Sequence, residues 1–210
     1  SGPRLILDTL ESVLPESYHK GLVYIAGPSH AEEVAMGKLT GLIAASESPM
    51  NSIRFREVLR SRGLLVYSSL DVIGVQVCAA AKNVVAVAFG MLDAIAEDSD
   101  AFGDNTESLL LAAGLNEIQL IGRAMGATHP ETFTSISGVG DLDVTCRSKY
   151  GRNRRFGQDI IKKKMLKEFS GLDDLLSRIT EIGYLREGAV ACKYVHELSL
   201  AQNLKLPICN

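Results

Sequence analysis

The chain alternates between short apolar segments and amphipathic segments over its first seventy residues. Three of the apolar segments have the length of buried strands, at residues 22–26, 40–45 and 64–67. Segments with helical spacing precede and separate them, at residues 4–14, 29–37 and 51–62. Apolar strands that alternate with helices are typical of a parallel sheet covered by helices. Residues 1–70 therefore predict an α/β region that forms part of a doubly wound parallel sheet.

From residue 71 onwards the pattern is helical throughout. Asp71 can cap a long apolar helix that runs to about Ala96, and a second helix opens at Asn105 or Thr106 and ends at Gly126. Further helices are predicted from Pro130, over 158–168 and over 187–202. A glycine-bearing loop at 137–146 and a basic stretch at 147–155 separate the first two of these. We predict a helical domain over residues 71–210.

The apolar segment at residues 72–92 is long enough to cross a bilayer. It contains Gln76, Lys82 and Asn83, and a lysine near the bilayer centre costs about 3 kcal/mol on insertion scales. A helix buried inside a soluble protein explains the same residues at lower cost. We therefore expect a core helix and no membrane partner.

Composition narrows the function class only slightly. Apolar residues make up 46% of the 210 residues and charged residues 22%, as in ordinary soluble domains. The net charge of −3 implies no general attraction to nucleic acid. The cysteines are widely spaced, which favours reduced thiols in a cytoplasmic protein over disulfides or a metal site. They are Cys78, Cys146, Cys192 and Cys209.

Lys82 is the strongest candidate for chemistry. It lies in the middle of the long apolar helix, and its neighbours three and four positions away are Cys78, Ala79, Val85 and Ala86. Small side chains on that face leave room for a ligand to approach the amine. Apolar surroundings disfavour the charged form of an amine and suit it to proton transfer. The alternative is a lysine that extends outward from a half-exposed helix.

Polar residues elsewhere in the helical half can serve such an amine. Asn83 can anchor a substrate hydroxyl or bond to a neighbouring helix as a core amide. Asp141, after Gly138-Val-Gly140, can pair with Lys82 or simply cap the next segment. Arg152 and Asn153 open a basic run suited to phosphate oxygens, although such runs are often only solvated surface.

The turn Gly27-Pro28-Ser29 is a second candidate region. It follows a predicted strand, where open parallel sheets bind ligands, and a helix N-terminus there would offer N–H groups to an anion. Ser29 and Glu32 have the spacing of a capping box. Many such turns are purely structural. Nothing in the sequence matches the strand, Gly-x-Gly-x-x-Gly and helix of a dinucleotide-binding turn.

Taken together and in this order, these segments resemble NAD(P)-dependent glycerol-3-phosphate dehydrogenase of the bacterial type. The resemblance covers nearly the whole chain. Three motifs make it specific: Ala-Lys-Asn, Gly-Asp-Leu-x-x-Thr-Cys and Arg-Asn-Arg-Arg-Phe-Gly. The matching stretches are 27–37, 66–93, 102–118, 137–146 and 152–157.

The resemblance implies interconversion of dihydroxyacetone phosphate and sn-glycerol 3-phosphate by hydride transfer with NAD or NADP. It makes Lys82 the proton donor and acceptor. The substrate-binding residues that it implies are Gly27, Ser29, Lys82, Asn83, Asp141, Gly151, Arg152 and Asn153. The cofactor-binding residues that it implies are Ala31, Arg152, Leu185 and Glu187. Gly151 stands where many bacterial members have a serine, so one hydroxyl contact is lost or replaced by backbone.

The apolar helical half favours a homodimer, and the widely spaced thiols favour the cytoplasm. Family members begin about a hundred residues earlier, so we expect a fragment that holds the last strands of the cofactor domain (1–70) and most of the helical substrate domain (71–210). We expect cofactor binding and activity to be lost in such a fragment. Two alternatives remain: a related 6-phosphogluconate-dehydrogenase-like oxidoreductase acting on another small substrate, and a non-catalytic helical dimerisation module.

Overall fold

The computed structural model describes residues 4–148, 151–182 and 187–209. These residues form two compact units. The first contains the described residues up to Ala79 together with residues 122–141. The second contains residues 80–121 and the described residues from Leu142 onwards. A domain boundary at residue 70 stays a prediction.

A three-stranded sheet forms the centre of the first unit. Its strands β1 (Tyr24–Ala26), β2 (Thr40–Ala45) and β3 (Leu64–Ser69) lie in the order β1-β2-β3. β2 and β3 run parallel, and their register places Thr40 opposite Leu64. All three predicted strands are confirmed, because long apolar runs bounded by turn residues leave few other conformations.

The orientation of β1 differs from the prediction of an all-parallel sheet. β1 runs antiparallel to β2, with Tyr24 opposite Ala45. The helix α3 (Ala31–Ala35) between them has only five residues, which is about 7.5 Å of helix. An apolar run predicts that a segment forms a strand, but the direction in which it pairs depends on its partner strand and is not encoded in the run itself.

The helices of the first unit pack beside the sheet. α1 (Ile6–Glu11) and α2 (Glu16–His19) precede β1. α4 (Pro49–Leu59) joins β2 to β3, and the hydroxyl of Ser48 accepts a hydrogen bond from a backbone N–H of its first turn. The apolar core of this unit consists of Ala26, Ile43, Ala45, Val72 and Val75.

The predicted capping box at Ser29 is wrong. α3 begins one residue later than that motif requires, with His30 as its N-cap. The Ser29 hydroxyl donates instead to the carbonyl oxygen of Gly27, at 3.1 Å. A serine after a glycine turn can bond to the backbone behind it as well as ahead of it, so the spacing alone does not decide.

The long apolar helix α5 (Val72–Ala96) is confirmed. It begins where predicted, because a carboxylate oxygen of Asp71 accepts the N–H of Gly74 at 3.1 Å. Among the described helices it alone is long and apolar enough to cross a bilayer, but 67% of its most apolar window is buried in the protein. That burial is typical of the core helix of a soluble protein.

A second long helix, α6 (Asp104–Met125), ends at Gly126 as predicted. Gly126 has a positive φ of 102°, which a glycine adopts without strain. The small residues predicted to allow close packing include Gly114. A Cβ there would lie 2.7 Å from a methyl group of Val85 on α5.

The segment predicted to be a glycine-bearing loop is helical. A single 3-10 turn, Pro130–Thr132, stands where a longer helix was predicted. A π-helical turn (Ile136–Gly140) then leads directly into α7 (Asp141–Arg147). A Cβ at Gly138 would collide with backbone atoms of Phe133. The glycine therefore permits a wide helical turn here, whereas sequence reasoning associated it with a loop.

Residues 152–155 of the basic stretch are also helical. α8 (Arg152–Lys162) begins six residues before the predicted start, because its first turn holds polar and charged side chains and gives no apolar periodicity. α9 (Leu172–Ser177) and α10 (Ile179–Ile182) follow a short 3-10 turn, and α11 (Glu187–Gln202) has the predicted bounds. The core of this region consists of Val87, Phe156, Leu175 and Ala189.

Candidate active site

Lys82 lies on α5 in the second unit and is half-buried. Its charge reaches the thiol of Cys146 on α7. Burial, and secondly the carboxylate of Asp143, raise the pKa of Cys146 to about 12, and the positive charges of Arg154, Arg147 and Lys82 oppose that rise. The Lys82 amine therefore lies close to the last turn of α7 while part of its side chain reaches solvent.

The side-chain amide of Asn153 joins three helices. Its nitrogen donates to the amide oxygen of Asn83 at 2.8 Å, and its oxygen accepts the backbone N–H of Gly188 at 3.2 Å. Only 8% of Asn153 is exposed. A Cβ at Gly188 would lie 2.6 Å from the Asn153 oxygen, so the glycine allows this close approach. The amide thereby links α5, α8 and the start of α11.

Arg152 and Glu187 form an ion pair beside this amide. The guanidinium donates to the carboxylate at 2.8 Å, and the two side chains are 64% and 48% exposed. Gly151 is the N-cap of α8, and its carbonyl oxygen accepts the N–H of Arg155. The first N–H groups of an α-helix have no partner within the helix, and at this end of α8 the exposed guanidinium of Arg152 adds positive charge.

Two glycines bring α5 and α8 into backbone contact. A Cβ at Gly90 would collide with the carbonyl oxygen of Arg154, and one at Gly157 would collide with that of Val87. The helices therefore touch without intervening side chains. This contact sets a short separation between the two helices on either side of the bond from Asn153 to Asn83.

Three predicted site residues lie together in the first unit, in the turn after β1. Gly27 is buried with a positive φ of 146°, and a Cβ there would lie 2.6 Å from the carbonyl oxygen of Gly41. The Ser29 side chain is bonded back to Gly27, and Ala31 opens α3 with an exposed side chain.

Asp141 lies near the same turn. It is buried at the start of α7, and its charge is the second cause, after burial, that raises the pKa of the Tyr24 phenol on β1. A Cβ at the preceding Gly140 would lie 4.0 Å from the ring of Pro28. The predicted pairing of Asp141 with Lys82 concerns residues of different units and stays a prediction. Leu185 lies outside the described residues.

Comparison with known families identifies the chain. A family model described as the C-terminus of NAD-dependent glycerol-3-phosphate dehydrogenase matches residues 71–210, and the corresponding N-terminus model matches residues 1–52. The chain belongs to this family. The three motifs noted in the sequence therefore indicated the right family.

Curated relatives agree with that membership. Proteins named glycerol-3-phosphate dehydrogenase [NAD(P)+] from Treponema denticola and Treponema pallidum strain Nichols are 76% and 67% identical to it, each over 99% of the chain. The chain spans 58% of the length of each of these relatives.

Solved structures confirm the fold class. The glycerol-3-phosphate dehydrogenase of Coxiella burnetii is 31% identical, with a TM-score of 0.73 over 89% of this chain and 53% of that one. The enzyme of the same name from Plasmodium falciparum is 19% identical with a TM-score of 0.79, over 96% of this chain and 53% of that one, and shows the fold alone. A partial Rossmann-like sheet followed by a helical region is thus the correct architecture.

Sequence reasoning missed one polar pair in the second unit. Asp93 on α5 bonds to Arg154 on α8, and both side chains are largely buried. Apart from Lys82, Asp93 is the only charged residue in the sequence of α5, which was a usable signal. Arg154 was attributed to the basic run as a whole, and its partner 61 positions away could not be found by spacing.

Proposed function

We propose that the protein interconverts dihydroxyacetone phosphate and sn-glycerol 3-phosphate with NAD or NADP, and that Lys82 donates and accepts the proton. The contact of Asn153 with Asn83 and Gly188 is the observation that carries this proposal. Asn83 follows Lys82 on α5, and Asn153 follows Arg152 on α8. The contact therefore brings these two pairs of residues and the start of α11 into one cluster. Family membership and the names of the relatives support the same activity.

Lys82 supplies what the reaction needs at the carbonyl oxygen. When bound, the cofactor supplies or takes the hydride. An alkoxide develops at the oxygen as hydride reaches the carbonyl carbon, and a nearby ammonium both stabilises that charge and delivers a proton. In the reverse direction the neutral amine takes the hydroxyl proton. The half-buried position of Lys82 suits both roles, because it is shielded from water yet open to a small substrate.

Arg152 and Asn153 are proposed to hold the substrate phosphate. An exposed ion pair contributes at most about 1 kcal/mol, so Arg152 is oriented by Glu187 without being locked to it. A guanidinium has five N–H donors, and charge-assisted bonds to phosphate are stronger than neutral ones. The first turn of α8, which follows Gly151, adds backbone donors at the same position.

The remaining predicted residues are proposed to complete the substrate and cofactor contacts. Gly27, Ser29 and Asp141 lie around one turn of the first unit, where a hydroxyl and a carboxylate can bind substrate hydroxyls. The cofactor contacts are proposed at Ala31, Arg152 and Glu187. The exposed guanidinium of Arg152 fits an anionic cofactor group, and a carboxylate such as Glu187 accepts from amide or hydroxyl groups.

We also propose a cytoplasmic homodimer without nucleic-acid or membrane partners, supported by the apolar helical half, the spaced thiols and the net charge of −3. Lys82 argues against a purely structural dimerisation module, since such a module has no use for an amine in the middle of an apolar helix. The Arg152–Asn153 pair argues against a relative that acts on a substrate without phosphate.

The proposed function is tested with the protein as its gene encodes it. Oxidation of NADH or NADPH should require dihydroxyacetone phosphate, and Lys82→Ala should lower kcat by about 10³-fold, a typical loss for a proton donor. The matched control is Lys162→Ala, which removes an exposed lysine on α8 that pairs with Glu97. Normal turnover in the Lys82 variant, or no turnover of this substrate by the unmodified protein, would contradict the proposal.

A further inference from the structure

Arg154 and Asp93 form a two-point contact between α8 and α5. The Nε of Arg154 donates to Oδ2 of Asp93 at 2.5 Å, and its Nη2 donates to Oδ1 at 2.7 Å. The side-chain amide of Gln158 also donates to Oδ2, at 2.9 Å. The arginine is 18% exposed and the aspartate 16%. A bidentate contact fixes orientation as well as distance, and solvent screens it little at this depth.

The same guanidinium reaches a third helix. Its Nη1 donates, at 2.9 Å, to the backbone carbonyl of Arg147, the last residue of α7. The preceding residue, Cys146, is the one whose thiol feels the charge of Lys82. Arg154 therefore links three helices: α5, which holds Lys82; α7, which lies close to the Lys82 amine; and α8, which holds Asn153.

The glycine contact between α5 and α8 needs a further contact that fixes the rotation of α8. Gly90 and Gly157 set how close the two helices lie, but they have no side chains that interlock. Side chains that interdigitate help to fix how one helix is oriented on another, and the two glycines contribute none. Arg154 follows Asn153 directly in α8, so any rotation that broke the pair with Asp93 would also move the Asn153 amide away from Asn83.

We propose that Arg154 and Asp93 act as a positioning pair for the substrate site. They hold α8 in the rotation at which Asn153 meets Asn83 and Arg152 meets Glu187. Neither residue is assigned a contact with the substrate. The inference rests on the proposed roles of Asn153 and Arg152, and extends them to residues that act through them.

The chain offers a matched control on the same two helices. Lys162, the last residue of α8, donates to Glu97, the residue that follows the end of α5, at 2.6 Å, so it is also a charged link between the two helices. The Lys162 and Glu97 side chains are 42% and 60% exposed, and exposed ion pairs of this kind contribute little to stability. A comparison of the two pairs separates positioning from the mere presence of an ion pair between the helices.

The test measures kcat and KM for dihydroxyacetone phosphate in Asp93→Asn, Arg154→Gln and the double variant of the protein as its gene encodes it. Each single variant should raise KM and lower kcat, with kcat/KM falling about tenfold to a hundredfold, the range expected from a misplaced binding group. The double variant should be no worse than the worse single variant, because the residues act as one unit. Lys162→Ala should stay within about twofold.

A purely structural role predicts a different result. It would reduce the folded fraction, which lowers the apparent kcat and leaves KM unchanged. Assays well below the melting temperature of each variant, with Arg154→Lys as a milder change that keeps the charge, make the distinction. An unchanged KM in all these variants, or additive losses in the double variant, would overturn the inference.

A crystal structure of Asp93→Asn gives a readout that does not depend on turnover. The inference expects the bond from Asn153 to Asn83 to be lost or displaced. A retained contact near 2.8 Å would overturn it, even if the unmodified protein proved inactive on this substrate and the proposed function failed.

Discussion

The contact between α5 and α8 differs in character from one end to the other. At the Lys82 end it consists of a neutral amide pair, Asn153 with Asn83, beside an arginine that is largely exposed. At the far end it consists of a buried two-point ion pair, Arg154 with Asp93. Between the ends, the backbones touch through glycines.

This difference indicates a division of labour along one helix pair. A site that must exchange substrate needs donors that are oriented but can be released, and an exposed arginine beside a buried amide meets that need. A scaffold needs contacts that do not exchange, and a buried bidentate pair meets it. Three substitutions test this difference, from the largest expected effect to the smallest. Gly157→Ala disrupts the backbone contact, Asn153→Ala removes the amide, and Lys162→Ala removes the exposed ion pair with Glu97.

Gly157→Ala should have the largest effect on stability. The new methyl group would collide with the backbone carbonyl of Val87, and no rotamer change can relieve a backbone collision. Forced separation of the helices should lower the free energy of unfolding by about 3 kcal/mol. Chemical denaturation of the variant measures it.

Gly103→Ala is the control for that variant, since nothing lies within 4 Å of a Cβ at Gly103. Gly103 directly precedes α6, and alanine is less favourable than glycine at that N-cap position, so the control should lose at most about 1 kcal/mol of unfolding free energy. A Gly157 variant as stable as the control would show that α5 and α8 are not in backbone contact.

Asn153→Ala should have an intermediate effect on stability and should raise the KM for the substrate. It leaves the oxygen of Asn83 and the N–H of Gly188 without their partner, which should cost about 2 kcal/mol of unfolding free energy. KM for dihydroxyacetone phosphate should rise by about tenfold if the amide also binds the phosphate. Denaturation and steady-state kinetics on one preparation measure both quantities, and an unchanged KM would restrict Asn153 to a structural role.

Lys162→Ala should have the smallest effect. Its ion pair with Glu97 is exposed, so the free energy of unfolding should change by less than about 0.5 kcal/mol. The thermal denaturation curve should be nearly superimposable on that of the unmodified protein. A loss as large as that of Asn153→Ala would mean that this exposed ion pair stabilises the protein as much as the buried amide does.

Much of the fold was predictable from apolar patterning alone. The bounds of β2 and α11 agree with the prediction, and Asp71 caps α5 as expected, because these signals are local. The orientation of β1 was not predictable from its own apolar residues. It depends on how β1 pairs with β2, which is a non-local property of the sheet.

The candidate site was predictable as a set of residue types and less so as a set of contacts. Lys82, Asn83, Arg152 and Asn153 were identified from motif and helix pattern. The bond between Asn83 and Asn153 joins residues 70 positions apart, and no local pattern encodes such a pair. The start of α8 was missed for a related reason, since charged side chains in its first turn resemble a loop.

Chemical rescue of Lys82→Ala tests the central claim most directly. Small primary alkylamines added to the variant, with NADH and dihydroxyacetone phosphate saturating, should restore part of the lost kcat by supplying an ammonium where the Lys82 side chain was. The restored rate should depend on the pKa of the added amine, as expected for proton transfer in the transition state. A residual rate that no amine raises, or an Ala variant that turns over as fast as the Lys162→Ala control, would contradict the assignment of Lys82 as the proton donor.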